Sequence, residues 1–256
     1  MMGLSLDTLT GLGWNLGWHG GLAGGTSAAA LPAFWLQQVW LPLGWGLVLA
    51  ALVQWLVVWV GWRRGGGDAP GRTPGRYPRR WSWGLAAAVL LWSLWPGPLS
   101  VSYWLGLAFQ APSGLAVVLA CGALWRAWRE PMALAAPGAQ GSAGGMVAVW
   151  DWWVLALLGW VLLLDTFAWW PLSLYAWGFG PQALAWLVLA SLLPMVLGGW
   201  RAHPAVYAVP LALLLFVALR LPTGNVWDAV LDPWLWLLAQ CLALRQLVCY
   251  FRMLRK

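Results

Sequence analysis

Long apolar stretches alternate with short polar segments along the chain. Seven stretches rich in Leu, Val, Ala and Trp cover residues 34–62, 81–96, 103–125, 147–164, 181–199, 204–217 and 234–251. A helix of about 20 apolar residues is long enough to cross the hydrocarbon core of a bilayer. The pattern therefore predicts an all-α integral membrane protein, a bundle of about seven transmembrane helices.

Composition strengthens this prediction. The chain has 256 residues, of which 62% are hydrophobic and 8% are charged, whereas a soluble domain carries about 25% charged residues. Its 27 Trp residues suit a membrane interface, where the ring is in apolar surroundings and the indole N–H finds water or a headgroup. Membrane lipid is therefore the first predicted partner.

The positions of the charged residues predict an orientation. If the loops 63–80 and 126–146, the turn 200–203 and the C-terminal end share one side, only Arg220 of the 14 Lys and Arg residues falls on the other. Lys and Arg accumulate on the cytoplasmic side of membrane proteins. We therefore expect a periplasmic N-terminus and a cytoplasmic C-terminus. The net charge of +7 is explained as an orientation signal, and no nucleic-acid partner is expected.

The same distribution predicts the source, location and domain organisation. The preference for Arg over Lys, together with much Ala, Gly, Trp and Pro, is typical of GC-rich bacterial genomes, so we expect a multi-pass protein of a bacterial inner membrane. Residues 1–33 are rich in Gly and lack Lys and Arg, which predicts a periplasmic or interfacial segment. Residues 34–256 are predicted to form a single transmembrane domain, since no loop is long enough for its own core.

Several cofactors are argued against. Haem b held within one chain needs paired His ligands, and the only His residues, His19 and His203, fall on opposite sides of the predicted membrane. Retinal and pyridoxal phosphate need a Lys for a Schiff base, and the only Lys is the terminal Lys256. The three Cys residues show no CxxC spacing, so no metal site is predicted. The predicted spans hold almost no ionisable group of the kind that ion-coupled pumps need.

One candidate site lies in the predicted outer loop 220–233. Arg220, Asn225, Asp228 and Asp232 occur within this segment, and two carboxylates four residues apart can share a helix face and act as an acid/base pair or bind a cation. A structural role is the alternative for each acid. Asp232 precedes Pro233 and suits the N-cap of the last helix, and Asp228 can pair with Arg220.

A second candidate site lies in the third apolar stretch. Gln110 and Ser113 flank Pro112 there, and a Pro inside a helix removes a hydrogen bond and kinks or breaks it. The freed carbonyl groups can line a small-molecule site; the alternative is a packing kink alone. If both candidates face outward, they share one outer cavity, which the aromatic loop 165–180 would cap.

Three functions fit these patterns. The first is a non-catalytic accessory or assembly subunit that packs in the bilayer against membrane protein partners. The second is a transporter or binding protein for an apolar or weakly polar small molecule, with a cavity facing the periplasm. The third is a lipid- or quinone-modifying enzyme that uses Asp228 and Asp232. The lack of a recognisable catalytic constellation favours the first.

Overall fold

The computed structural model describes residues 31–64, 79–129, 145–169, 173–198 and 204–254, and all regular secondary structure in these ranges is helical. The helices of the described ranges are α1 (Phe34–Arg64), α2 (Arg79–Ser93), α3 (Val101–Phe109), α4 (Gly114–Arg129), α5 (Gly145–Thr166), α6 (Leu174–Trp177), α7 (Pro181–Gly198), α8 (Ala208–Leu219), α9 (Val226–Val230) and α10 (Pro233–Leu254). A 3₁₀ turn, Pro204–Tyr207, leads into α8. The predicted all-α class is confirmed for these residues.

Each of the seven apolar stretches contains a helix, and the third contains two. Residues 110–113 do not merely kink that stretch but separate α3 from α4. The short helices α6 and α9 lie in the two segments predicted to be outer loops. The helices beyond the seven predicted ones therefore occur where polar residues, Gly or Pro interrupt or separate the apolar stretches.

Local chemistry explains several helix ends. α7 and α10 begin with Pro181 and Pro233, and Pro suits the first helical position because the N–H there needs no intrahelical acceptor. The Oγ of Ser100 accepts the backbone N–H of Ser102 and caps α3. The side chain of Asn225 caps α9 in the same way, through the N–H of Trp227.

Close approaches through small residues hold α1 to its neighbours. α1 packs against α2 and α4. A Cβ atom on Gly44 would lie 2.7 Å from Cγ of Pro112, and one on Gly46 would lie 2.7 Å from a methyl carbon of Leu90. These glycines therefore let the segment after α3 and the end of α2 lie directly on α1.

The main buried cluster lies where α4, α8, α9 and the start of α10 meet. Its members, almost fully buried, include Leu115, Ala212, Phe216, Val226 and Leu235. This cluster positions the loop 220–233 over the beginning of α4, which brings the two candidate sites into one region of the fold.

Two of the described helices are long and apolar enough to cross a membrane, over Phe34–Val60 in α1 and Pro233–Arg252 in α10. Four shorter apolar helices accompany them, over Trp81–Ser93, Trp152–Thr166, Pro181–Leu193 and Ala208–Leu219. Many large apolar side chains on these helices are exposed, among them Trp186 and Leu214.

Part of the predicted organisation falls on residues outside the described ranges. Residues 1–30 of the predicted segment 1–33, and most of the Arg-bearing loops 63–80 and 126–146, are outside them. The division into segments 1–33 and 34–256 therefore stays a prediction.

Candidate functional site

Ser113 and Asp232, predicted as candidates from distant parts of the chain, are joined by a hydrogen bond. The backbone N–H of Ser113 donates to Oδ2 of Asp232 over 2.8 Å, and the N–H of Leu235 donates to Oδ1 over 2.8 Å. The second bond confirms the predicted N-cap. Both residues are buried, so one carboxylate ties the start of α4 to the start of α10 through charge-assisted hydrogen bonds.

The backbone groups freed between α3 and α4 have donors from α1. Gln110 ends α3 with φ of 61°, and its carbonyl accepts the indole N–H of Trp45 over 2.8 Å. The carbonyl of Pro112 accepts the indole N–H of Trp40 over 3.1 Å. Both carbonyls are thus occupied within the chain, while the Gln110 side chain is exposed.

Asn225 joins the two segments predicted to be outer loops. It is fully buried; its Nδ2 donates to the carbonyl of Tyr175 over 3.0 Å, and its Oδ1 accepts the N–H of Trp227 over 3.0 Å. The N–H of Val226 also donates to the carbonyl of Gly178 over 2.9 Å. A Cβ atom on Gly178 would collide with Oδ1 of Asn225, so this contact requires glycine.

The Asp228 carboxylate accepts hydrogen bonds from two hydroxyl groups. The Tyr175 hydroxyl lies 3.1 and 2.9 Å from its two oxygens, and the Thr223 hydroxyl donates to Oδ2 over 2.5 Å. Burial and the nearby Asp228 charge raise the pKa of Tyr175 to about 12, because both disfavour a phenolate. Tyr175 therefore stays a proton donor to Asp228 at neutral pH.

Arg220 does not pair with Asp228. Its backbone is left-handed, with φ of 57°, and its guanidinium carbon lies 5.4 Å from the centre of the Phe216 ring. No ion pair joins Arg220 to an acid in the described part of the chain. The expected Arg220–Asp228 pair is therefore wrong, because Tyr175 and Thr223 occupy the carboxylate.

Asp228 and Asp232 do not share a helix face. Asp228 lies in α9, which ends at Val230, and the extended Leu231 separates it from Asp232 at the N-cap of α10. Each carboxylate has its own donors, so the expected arrangement of two acids on one helix is wrong. Among the described residues, no group of three or more His, Cys, Asp or Glu is placed to hold a metal ion.

An open cleft lies elsewhere, between the start of α1 and the turn that joins α2 to α3. Its volume is about 610 Å³, and its lining residues are Gln37, Gln38, Leu41, Pro42, Leu94, Trp95, Pro96, Gly97, Ser100, Ser102 and Tyr103. None of the six candidate residues lines it. The sequence pattern gave no signal for this cleft, because its walls come from two segments brought together by folding.

One charged residue escaped the sequence reasoning. Arg245 lies within α10, inside the apolar span Pro233–Arg252, and its side chain is exposed. The expectation that the spans hold almost no ionisable group is therefore incomplete. The sequence shows Arg245 as the only charged residue between Pro233 and Phe251, a segment that is otherwise apolar except for Gln240 and Gln246.

No family model, no curated protein and no solved structure matches the chain.

Proposed function

We propose that the chain is a non-catalytic accessory or assembly subunit of a bacterial inner membrane. It crosses the bilayer seven times, with its N-terminus in the periplasm and its C-terminus in the cytoplasm, and it packs against membrane protein partners. The observation that carries the subunit role is that the candidate polar groups already bond to other groups of the same chain.

The groups best suited to hold a ligand already have partners within the chain. Both oxygens of Asp232 accept backbone N–H groups, Asn225 donates and accepts, and Asp228 accepts two hydroxyl groups. A ligand would have to displace these bonds, and leaving a buried donor unpaired costs about 1–3 kcal/mol. Because these polar groups already have hydrogen-bond partners within the chain, they favour a structural role over ligand binding or catalysis.

Contacts between the two predicted outer loops support the proposed topology. Seven spans place 165–180 and 220–233 on the same side of the membrane. In the fold, the Trp227 indole donates to the carbonyl of Leu174 over 2.9 Å, and Tyr175 contacts Asp228. These contacts need both loops on one side, as the proposed alternation of spans requires.

Cysteine labelling tests the topology. Cys121, Cys241 and Cys249 are exposed and are first replaced, so that single cysteines report their own positions. A membrane-impermeant thiol reagent on intact cells should label cysteines placed in 165–180, and those placed in 63–80 only after permeabilisation. Labelling of the segment 63–80 in intact cells would contradict the orientation.

Purification in native nanodiscs tests the subunit role. A tagged chain should bring down one or more membrane proteins in constant stoichiometry, measured by mass spectrometry and unchanged in an Asp228→Asn variant. A chain that purifies alone, with or without a bound small molecule, would contradict the role.

The open cleft favours a second candidate function, a small-molecule binding protein or transporter that faces the periplasm. Gln37, Gln38 and Tyr103 line this open cleft and supply polar groups to it. Under this alternative, a co-purified small molecule should be lost when Gln38→Trp fills the cleft and retained in Asp228→Asn. Retention in both variants would contradict a site in the cleft.

A further inference from the structure

α10 packs along one side only. Ala239 and Ala243 are buried, and the indole N–H of Trp236 donates to the carbonyl of Ala156 in α5 over 3.0 Å. Gly159 of α5 makes room for this ring, because a Cβ atom there would collide with it. Only 17% of the apolar span of α10 is buried within the chain, compared with 33% for α1.

The opposite side of α10 carries a regular exposed stripe. Leu237, Cys241, Leu244 and Val248 are exposed and follow one another at intervals of four, three and four residues. This is the spacing with which one helix packs along another, as in a coiled coil. Arg245 follows Leu244 and flanks the stripe, at the kind of position from which charged side chains pair between helices. We call these five residues the α10 stripe.

Arg245 lies at a depth where pairing with an anion is favourable. It is twelve residues after Pro233 and seven before Arg252, or roughly 18 Å and 10 Å along a helix that rises 1.5 Å per residue. Side chains on a helix lean toward its N-terminus, so Arg245 leans away from the nearer end of the span. An exposed Arg inside a membrane is costly, and pairing with a negative group lowers that cost.

No ion pair joins Arg245 to an acid in the described part of the chain. Asp151 lies in α5, on the Trp236 side of α10, and Arg245, nine residues after Trp236, lies on the opposite side of the helix. Asp228 and Asp232 lie at or before the start of α10, and Asp165 accepts the backbone N–H groups of Leu174 and Tyr175. A second copy does not supply the charge either. A symmetric parallel pairing along the α10 stripe would place a second α10 beside Arg245, and α10 contains no Asp or Glu.

We propose that the α10 stripe docks a membrane-spanning helix of a different protein, one that carries an Asp or Glu at the depth of Arg245. This inference rests on the proposed subunit role and specifies its contact surface. The apolar members of the stripe provide the packing surface, and the ion pair fixes register and selects the partner.

Photo-crosslinking in cells tests the docking surface. A photo-reactive amino acid replaces Leu244 in the stripe or, as the matched control, the equally exposed Leu189 of α7. We expect one polypeptide to crosslink strongly from position 244 and weakly from 189, and its apolar span to contain an Asp or Glu. Arg245→Leu should lower the crosslink about tenfold, whereas Arg245→Lys should retain most of it.

A charge exchange completes the test. Arg245→Glu should abolish the crosslink, and replacing the partner's acidic residue with Arg should restore it. Both Arg245→Leu and Arg245→Lys are compared by size-exclusion chromatography, so that loss of folding is recognised separately from loss of docking.

Several results would overturn the inference. They are crosslinks from position 244 to lipid alone or to a second copy, a partner without an acidic residue in its span, and an undiminished crosslink in Arg245→Leu. If a stoichiometric partner co-purifies but does not crosslink from position 244, the docking surface is wrong and the subunit role stands. If no partner is found in either experiment, both fail.

Discussion

The carboxylate of Asp232 accepts one backbone N–H at the start of each of two helices, from Leu235 in α10 and from Ser113 just before α4. The bond to Ser113 spans 119 positions of sequence. An acid at a helix N-terminus also interacts favourably with the helix dipole, and here one charge faces two N-termini. A single side chain therefore supplies a charged acceptor to both helix starts, beside the apolar cluster that packs there.

Removing this carboxylate should destabilise the fold more than removing an ordinary N-cap side chain does. We expect Asp232→Ala to lower the free energy of unfolding by about 3 kcal/mol, because two buried N–H groups lose a charged acceptor. Asp232→Asn should cost about half as much, since one amide oxygen can still accept one N–H. Unfolding in mixed micelles with increasing SDS measures both.

Asp165→Ala is the matched control for this prediction. Asp165 also accepts two backbone N–H groups, but it serves only the four-residue helix α6. We expect a smaller loss of stability than for Asp232→Ala. Equal losses in the two variants would mean that joining α4 to α10 has no special energetic weight.

The two indole donors of α1 yield a second prediction. Trp45→Phe keeps an aromatic ring but removes the N–H that the Gln110 carbonyl accepts, and Trp40→Phe does the same for Pro112. Each change should cost about 1–2 kcal/mol of unfolding free energy, because the carbonyl is left without a donor. The exposed Trp35 provides the control, and Trp35→Phe should be nearly neutral. Equal effects at all three positions would contradict a role for the indole N–H groups.

The helices were predictable because they depend on neighbouring residues. Runs of Leu, Ala and Trp, and Pro at the start of α10, act within one or two turns, so the sequence indicates the helices and the N-cap of Asp232. The second bond of Asp232, to Ser113, depends on how α4 and α10 pack, and no local pattern encodes that packing. The prediction that the Trp residues lie at a membrane interface likewise misses Trp40 and Trp45, which are buried and donate hydrogen bonds within the fold.

The candidate residues likewise divide into features that the local sequence indicates and contacts that depend on distant residues. The position of Asp228 before the last helix is visible in the sequence, but its donor Tyr175 lies 53 residues away, so the nearer Arg220 was the natural choice of partner. Arg245 is visible in the sequence, but the high mean hydropathy of the segment 234–251 hides the presence of one charged residue. Whether that charge faces a neighbouring helix or the surface becomes clear only from the exposure of α10.

Gly178 offers a test of the contact between the two loops. Gly178→Ala should destabilise the fold by about 2 kcal/mol, because its methyl group collides with the buried Asn225 side chain and overpacking costs about 1–3 kcal/mol. Gly84 in α2 has no atom within 4 Å of a Cβ built on it, so Gly84→Ala should be neutral or stabilise by up to about 1 kcal/mol. Thermal unfolding in detergent compares the two variants. A neutral Gly178→Ala would mean that the loops do not pack as tightly as this contact requires.

The burial of Tyr175 beside the charge of Asp228 should make stability depend on pH in the alkaline range. The pKa of Tyr175 rises to about 12 in the fold, compared with about 10 in an unfolded chain. A raised pKa stabilises the fold at pH values below 10, where the phenol is protonated in both states. This contribution is lost as the pH rises from about 10 to 12, because the unfolded chain releases the proton first.

We expect stability to fall over this interval more steeply in the parent chain than in Tyr175→Phe, which removes the ionisable hydroxyl. Tyr250→Phe, on the exposed part of α10, should leave the parent slope unchanged. Unfolding at a series of pH values, with the tyrosinate absorbance followed in parallel, measures the effect. The same slope in Tyr175→Phe as in the parent chain would show that the pKa of Tyr175 is not raised in the fold.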